Sequence, residues 1–447
     1  MTLRAGVLWK FGGTLAEDSD QYLAIARHVA AGDGFVDPPT RAATAYRPPL
    51  YPLLLAGVLR CGGGTLAIGI VQLFLGVATV ALTVACGRNL GLGRACLFAG
   101  LFVACDPLLL YQTVLVMTET TAAFLAALLV WLSLRPKTTS NAFWLGVVFG
   151  LACLCRPTFW AFGGLSALLW GYHILRHGRS PIERNGAMET PLRSAQMGTG
   201  ALPRSRFGLV WDAGILVAGL MLVIAPWGIR NFAVLGRPII TTTHGGYTLL
   251  LAHNPVYTRA VVEQPWGAVW ERQSQADWLA SIEAAMAQEN PPIDSAHLSP
   301  AVELARDQWM SRKAWKYLRD EPAIAVKTAL TLLGRMWNVV PLATDGATRS
   351  TAVRLAIGTF YSALFLAVLI AVARRPRADW FAWRPVLVLI VGFTAVHSLY
   401  WADMRMRTPL VPAIALVAAA GLSRGPSRPV VEPRACGEAG GSQGKTL

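Results

Sequence analysis

Three carboxylates fall within four positions near the start of the chain, in Glu17-Asp18-Ser19-Asp20-Gln21-Tyr22. Behind them, Tyr22, Ile25, Ala26, Val29 and Ala30 recur with helical spacing over residues 19–31. A carboxylate so placed has two readings. It caps a helix by accepting backbone N–H groups, worth about 1 kcal/mol, or it acts as a general base toward an attacking hydroxyl or amine. A base suffices where the leaving group is already good. A sugar bonded to phosphate is such a case, and the remaining need is for cations that neutralise the phosphate, a task suited to the guanidinium fork. Arg47, ahead of Pro48-Pro49-Leu50-Tyr51-Pro52, and Arg405 with Arg407, in Asp403-Met404-Arg405-Met406-Arg407-Thr408-Pro409, are the candidates.

Four further residues stand out. Glu119 follows Met117-Thr118 and opens an apolar run, where it either favours the helix dipole or faces a ligand. Arg156 and Pro157 interrupt about 35 apolar residues, too many for one bilayer crossing. Arg230 and Asn231 end a run in Pro226-Trp227-Gly228-Ile229-Arg230-Asn231, and Gly245-Gly246 and His253-Asn254-Pro255 follow. Trp and Arg at such an exit also anchor a helix at the interface. Asp18 and Glu119 are far apart in the chain and come without a His partner, so a divalent metal is left unknown. Most of the seven cysteines lie inside apolar runs without metal-ligand spacing.

These residues must be positioned by a membrane protein. The chain has 447 residues, 54% hydrophobic and 15% charged, with mean hydropathy +0.45. The Leu-, Ala-, Val- and Gly-rich runs do not alternate, so they read as helices and not barrel strands. Spans are expected at about 65–87, 94–113, 119–135, 140–155, 157–175, 208–229, 352–373, 385–401 and 408–423. The net charge of +15 sits largely in short connections such as those holding Arg88, Arg94, Arg135, Lys137, Arg374 and Arg375. This is the positive-inside pattern, and no nucleic-acid partner is expected. Alternation then puts 14–48, Glu119, Arg156, 230–351 and 402–407 on one external face. Residues 5–15 are too short to span and lack a signal-peptide pattern, although a spanning helix is expected ahead of an external loop.

The organisation expected is an N-terminal segment and first external loop over 1–48 and a transmembrane bundle over 49–229 with a basic cytoplasmic linker at 176–207. An external segment over 230–351 includes an interfacial helix at about 326–341. C-terminal transmembrane helices at 352–423 and a Gly-, Pro- and Arg-rich disordered tail at 424–447 complete it.

The series Asp18-x-x-x-Tyr22-x-x-Ile25-Ala26-Arg27, Gly32-Asp33-Gly34-Phe35 and Tyr46-Arg47-Pro48-Pro49-Leu50-Tyr51-Pro52 resembles the first external loop of GT-C membrane glycosyltransferases. The likeness is to the protein O-mannosyltransferase and lipid A aminoarabinose transferase branch and its bacterial relatives. The Asp403–Pro412 stretch resembles that family's Arg-Tyr-Arg-x-Pro-x-x-Pro, with Met406 in place of Tyr. The resemblance implies an all-α polytopic bundle and an inverting transfer of sugar from a polyprenyl-phosphate donor. The acceptor is a glycan, lipid or protein outside the cytoplasmic (inner) membrane. It makes Asp18 the base and Arg47, Arg405 and Arg407 phosphate ligands. Tyr22, Glu119, Arg156, Arg230 and Asn231 contact substrate in the same scheme. A transporter of lipid-linked sugars and a non-catalytic polyprenyl-phosphate-binding relative are the rival readings. The absence of paired repeats and the gathering of polar groups at one face favour the enzyme.

Overall fold

The apolar runs fold as helices in the computed structural model, which describes residues 1–177, 206–294, 298–342 and 350–423. Nearly all of the basic linker and all of the C-terminal tail lie outside the described residues. Apart from one isolated antiparallel bridge between Val36 and Ala43, every regular element described is helical, as expected. Among the described residues, four helices are long and apolar enough to cross a membrane: Thr65–Asn89, Val210–Leu235, Thr351–Arg374 and Met404–Leu422. Shorter apolar helices run over Leu50–Arg60, Gly93–Cys105, Glu119–Ser133, Thr139–Cys155 and Arg384–His397.

The stretch expected to span continuously from 94 to 113 is instead broken at Asp106-Pro107 into helices Cys96–Cys105 and Pro107–Gln112. Pro107 lacks an N–H and pushes the residue before it into extended geometry. Asp106 then caps the second helix by accepting the Leu109 N–H at 2.9 Å, and its other oxygen accepts the Tyr361 hydroxyl at 2.9 Å. The N-terminal residues also differ from a plain loop. Thr2–Phe11 is a helix of ten residues, about 15 Å long. Its buried Arg4 donates to the Val103 and Leu109 carbonyls and to Thr113 Oγ1, docking the helix beside the Asp106 break.

Val411–Leu422 is the centre of the bundle, buried over nearly all of its length. It packs on Thr351–Arg374, Cys96–Cys105, Thr65–Asn89 and Glu119–Ser133. Its run of Ala and Gly lets these backbones approach, which is how helices associate where lipid removes the hydrophobic drive. A second close pair joins Thr139–Cys155 to the Arg206–Leu235 helix. A Cβ at Gly146 would strike the Leu216 carbonyl, and one at Gly219 would strike that of Phe143.

Polar helices Arg272–Ala287 and Pro300–Asp320 lie between the Arg206–Leu235 helix and the later spans. A helix over Pro322–Met336 occupies the region where an interfacial helix is expected, at about 326–341. It exposes Val326 and Leu330 while burying Thr328, Leu332 and Met336, the two-faced pattern of a helix lying on a membrane.

Candidate active site

The first loop turns into the Tyr22–Ala31 helix through Gln21, which has a φ of 63°. Gln21 makes no side-chain cap. Asp18 supplies it from upstream, one oxygen accepting the Leu23 N–H at 3.0 Å and the other the Ala24 N–H at 2.7 Å. Both carboxylate oxygens are therefore fixed in direction, each with lone-pair capacity to spare. Asp20, two residues on, faces Arg47 instead, with 3.1 Å between Oδ1 and Nη2. The capping role expected for Asp20 thus falls to Asp18, and Asp20 joins a charged cluster.

The Arg47 guanidinium lies 5.4 Å from the centre of the Tyr22 ring and 5.2 Å from that of Tyr46. Tyr22 in turn meets Tyr51 edge-on at 5.4 Å. The aromatic walls hold the cation by its ring faces, a geometry worth about 0.5–2 kcal/mol per contact. The Tyr22 hydroxyl stands between two sets of charge. Burial pushes its pKa up to about 12, and Arg47, Asp20, Glu119 and Arg156 all act on it.

The second set centres on Glu119, only 1% exposed at the start of the Glu119–Ser133 helix. Its Oε1 lies 3.3 Å from Arg405 Nε and 3.6 Å from Arg156 Nη1. The arginines also touch sulfur: Arg156 Nη2 is 3.2 Å from Met406 Sδ, and Arg405 Nη1 is 3.9 Å from Met117 Sδ. These charge contacts leave polar capacity unused. Arg47 Nε, Arg156 Nη1, Arg405 Nε and Glu119 Oε2 are buried without a protein hydrogen-bond partner. Buried polar groups usually find partners, so these four neighbouring atoms leave hydrogen-bonding capacity for another molecule. The donors outnumber the acceptors, so the complement is an anion.

Tyr22, Arg47, Glu119, Arg156 and Arg405 are thus brought to one region, and Asp18 caps the helix that Tyr22 begins. Arg407, expected beside Arg405 at a phosphate, is not. It is 0% exposed and donates to the Met336 carbonyl at 2.9 Å and the Asn338 carbonyl at 2.5 Å, with its guanidinium over the Tyr361 ring. Met404–Leu410 is a 3-10 helix, so residues two apart leave it in different directions. Arg230 and Asn231 are also spent internally. Arg230 donates to the Thr44 carbonyl at 2.7 Å, the Phe35 carbonyl at 2.6 Å and Asn231 Oδ1 at 2.8 Å, while Asn231 donates to the Ile239 carbonyl at 2.6 Å. They clamp the first loop onto the end of a span. Among the described residues, no three His, Cys, Asp or Glu side chains gather as a metal site.

Two residues that the sequence did not single out hold the Arg47 turn. Glu303, 4% exposed in the first turn of Pro300–Asp320, accepts from Thr44 Oγ1 at 2.5 Å, the Ala45 N–H at 2.9 Å and Thr243 Oγ1 at 2.5 Å. One turn later Asp307 accepts the Gly246 N–H at 2.6 Å, where backbone contact leaves no room for a Cβ. A Glu in a first turn reads locally as a dipole partner, and only the tertiary fold reveals its loops. Glu303→Ala leaves three buried donors unsatisfied. It is expected to destabilise the protein by about 2–4 kcal/mol, read as a lowered melting temperature in detergent. Glu303→Ala melting with wild type would show that the latch contributes nothing.

His244 is the other. Its ring packs edge-on against Tyr46 at 4.4 Å and beside Tyr247 at 5.1 Å. Burial, reinforced by Arg47, pushes its pKa down to about 3, so the imidazole is neutral at physiological pH. The unfolded chain binds this proton below about pH 6.5, and the folded one only near pH 3. Stability is therefore expected to fall as pH drops through that window. His244→Gln should flatten that part of the pH–stability curve measured by chemical unfolding. An unchanged curve would remove His244 as its source.

Residues 46–189 match the family described as dolichyl-phosphate-mannose-protein mannosyltransferase. The segment is about a third of the chain and carries Arg47, Glu119 and Arg156. The match begins at Tyr46-Arg47-Pro48-Pro49-Leu50-Tyr51-Pro52, one of the quoted motifs, and supports the resemblance to GT-C membrane glycosyltransferases over that segment. No curated protein matches the sequence significantly. Among solved structures, ArnT from Cupriavidus metallidurans bound to undecaprenyl phosphate is similar at 14% identity and a TM-score of 0.38, over 95% of this chain and 77% of that one. The apo state of the same protein is similar at 16% identity and a TM-score of 0.32, over 90% and 72%.

Proposed function

We propose that this chain is an integral-membrane glycosyltransferase. It moves a hexosyl or pentosyl group from a polyprenyl-phosphate-linked donor to a glycan, lipid or protein acceptor at the external face of the cytoplasmic membrane. The observation that carries the reading is the convergence of Arg47, Arg156 and Arg405, from three distant segments, on two carboxylates, with buried N–H groups that lack a protein hydrogen bond. The match of residues 46–189 to a mannosyltransferase family supports the same class. The arginine-rich short connections support an orientation that turns this cluster outward.

In this scheme Asp18 takes the proton of the acceptor hydroxyl. The acceptor oxygen attacks the anomeric carbon from the side opposite the phosphate, and the bond from that carbon to the phosphate oxygen breaks with its electron pair staying on the phosphate. Configuration inverts in a single displacement. Arg47 and Arg405 meet the growing charge, the kind of preorganised stabilisation that accounts for much of enzymatic rate enhancement. Glu119 holds the Arg156 and Arg405 forks in place before the anion arrives. The Tyr22 ring orients Arg47. Any metal requirement is an open variable of the assay. The binding half of the reading is tested in nanodiscs with an undecaprenyl phosphate probe. The wild type is expected to bind it, and a variant carrying both Arg47→Ala and Arg405→Ala is expected to lose that binding. Equal binding by both proteins would remove the arginine cluster as the phosphate site.

A further inference from the structure

The ion-paired groups of the site do not cancel. Arg47, Arg156 and Arg405 bring three positive charges, and Asp20 and Glu119 two negative ones, leaving one net positive charge. Asp18 turns its carboxylate to the backbone N–H groups of a helix start, whereas Asp403, which accepts the Arg405 N–H, adds a negative charge that acts on Arg405 and lowers this balance further. The two anions of the cluster are not equivalent. Glu119 is buried between two arginines and is part of the scaffold. Asp20 keeps 27% of its side chain exposed and reaches Arg47 by a single contact of 3.1 Å. It occupies one face of the guanidinium that a phosphate would use, and it can be displaced.

A polyprenyl-phosphate sugar is a phosphodiester with one negative charge. After transfer the lipid retains a phosphomonoester, whose second ionisation near pH 6 takes it toward two negative charges. A site with so little net positive charge favours the first over the second. We propose that Asp20 is a specificity-determining residue that tunes the site to the singly charged diester and prevents the doubly charged monoester from being retained. The inference rests on the donor reading above. Asp20 remains as Arg47's counter-ion, competing with any anion that arrives, and its repulsion grows with the charge of that anion.

The test compares farnesyl phosphate with farnesyl methyl phosphate, binding each to the full chain in detergent at pH 8. Asp20→Asn is expected to tighten the monoester about tenfold and the diester less than about threefold, the scale of one more charge contact at partial screening. Asp20→Ser gives the same preference through a second neutral side chain, and Asp20→Glu keeps the wild-type one. Asp33→Asn, which removes a charge that pairs with His28 away from the cluster, changes neither. Equal tightening of both ligands, or no tightening of the monoester, overturns the role of Asp20. If Arg47→Ala leaves both wild-type affinities unchanged, the donor reading itself fails and the inference falls with it.

Discussion

Asp18→Asn is expected to reduce sugar transfer by about 10²–10⁴-fold, the range a positioned general base contributes. The substitution separates the two roles that the residue combines. Its carboxylate accepts the Leu23 and Ala24 N–H groups with separate oxygens, and an Asn oxygen can still accept one of them. Asn is among the best capping residues, so the folding loss should stay within about 1 kcal/mol. The amide is no base, so chemistry should be lost while membrane insertion, melting temperature and binding of undecaprenyl phosphate persist. Transfer near the wild-type rate would remove Asp18 as the base and leave it a cap.

Arg405→Ala is expected to weaken donor binding by roughly 10–100-fold, the scale of a charge-assisted hydrogen bond. The loss has two sources. The phosphate forfeits a guanidinium, and Glu119, left with Arg156 alone, becomes a poorly compensated buried anion that repels it. Because the second source also threatens the fold, Arg405→Lys is the informative partner. It keeps the positive charge beside Glu119 but loses the planar fork. Donor affinity should then fall between those of alanine variant and wild type, with the melting temperature restored. Unchanged donor affinity in Arg405→Ala would exclude this arginine from the phosphate site. Arg407→Ala has a different signature. Its carbonyl partners at Met336 and Asn338 are structural, so that variant should lose stability first.

Much of the architecture is legible in the chain itself, because a bilayer imposes length and polarity on every crossing. The starts of Thr65–Asn89, Glu119–Ser133 and Thr351–Arg374 fall where the apolar runs begin. The break at Asp106 was carried by one Pro inside a run that otherwise read as a single span. Site residues were legible only as local chemistry. Asp18 announced a carboxylate ahead of a helix, but whether its oxygens or those of Asp20 face Arg47 depends on the Gln21 backbone turn. Arg405 and Arg407 read as a matched pair until the backbone between them proved to be 3-10 helical. Arg230 reaches carbonyls 186 and 195 residues away, at Thr44 and Phe35. Glu303 reaches Thr44 across 259 residues. Partners at such separations are set by how helices pack, which a single sequence states only indirectly.

The latch around Thr44 also gives the Pro300–Asp320 helix a task in placing Arg47. Glu303, Thr243 and Arg230 converge on the segment leading into Tyr46-Arg47. The position of the arginine is thus fixed by elements distant in sequence. A shift of about 1 Å in such a support is enough to degrade a positioned reaction.

The central claim is transfer of a sugar from a lipid phosphate, and it is tested most directly by a transfer assay. Membranes containing the full chain are given a panel of radiolabelled polyprenyl-phosphate sugars, beside membranes containing Asp18→Asn. The account predicts that label from at least one donor moves to an acceptor, with release of polyprenyl phosphate, and that the Asp18→Asn membranes leave the same donor intact. Label that stays on the lipid with every donor, while undecaprenyl phosphate still binds at the arginine cluster, would contradict it and make the chain a lipid-phosphate-binding protein without transferase activity.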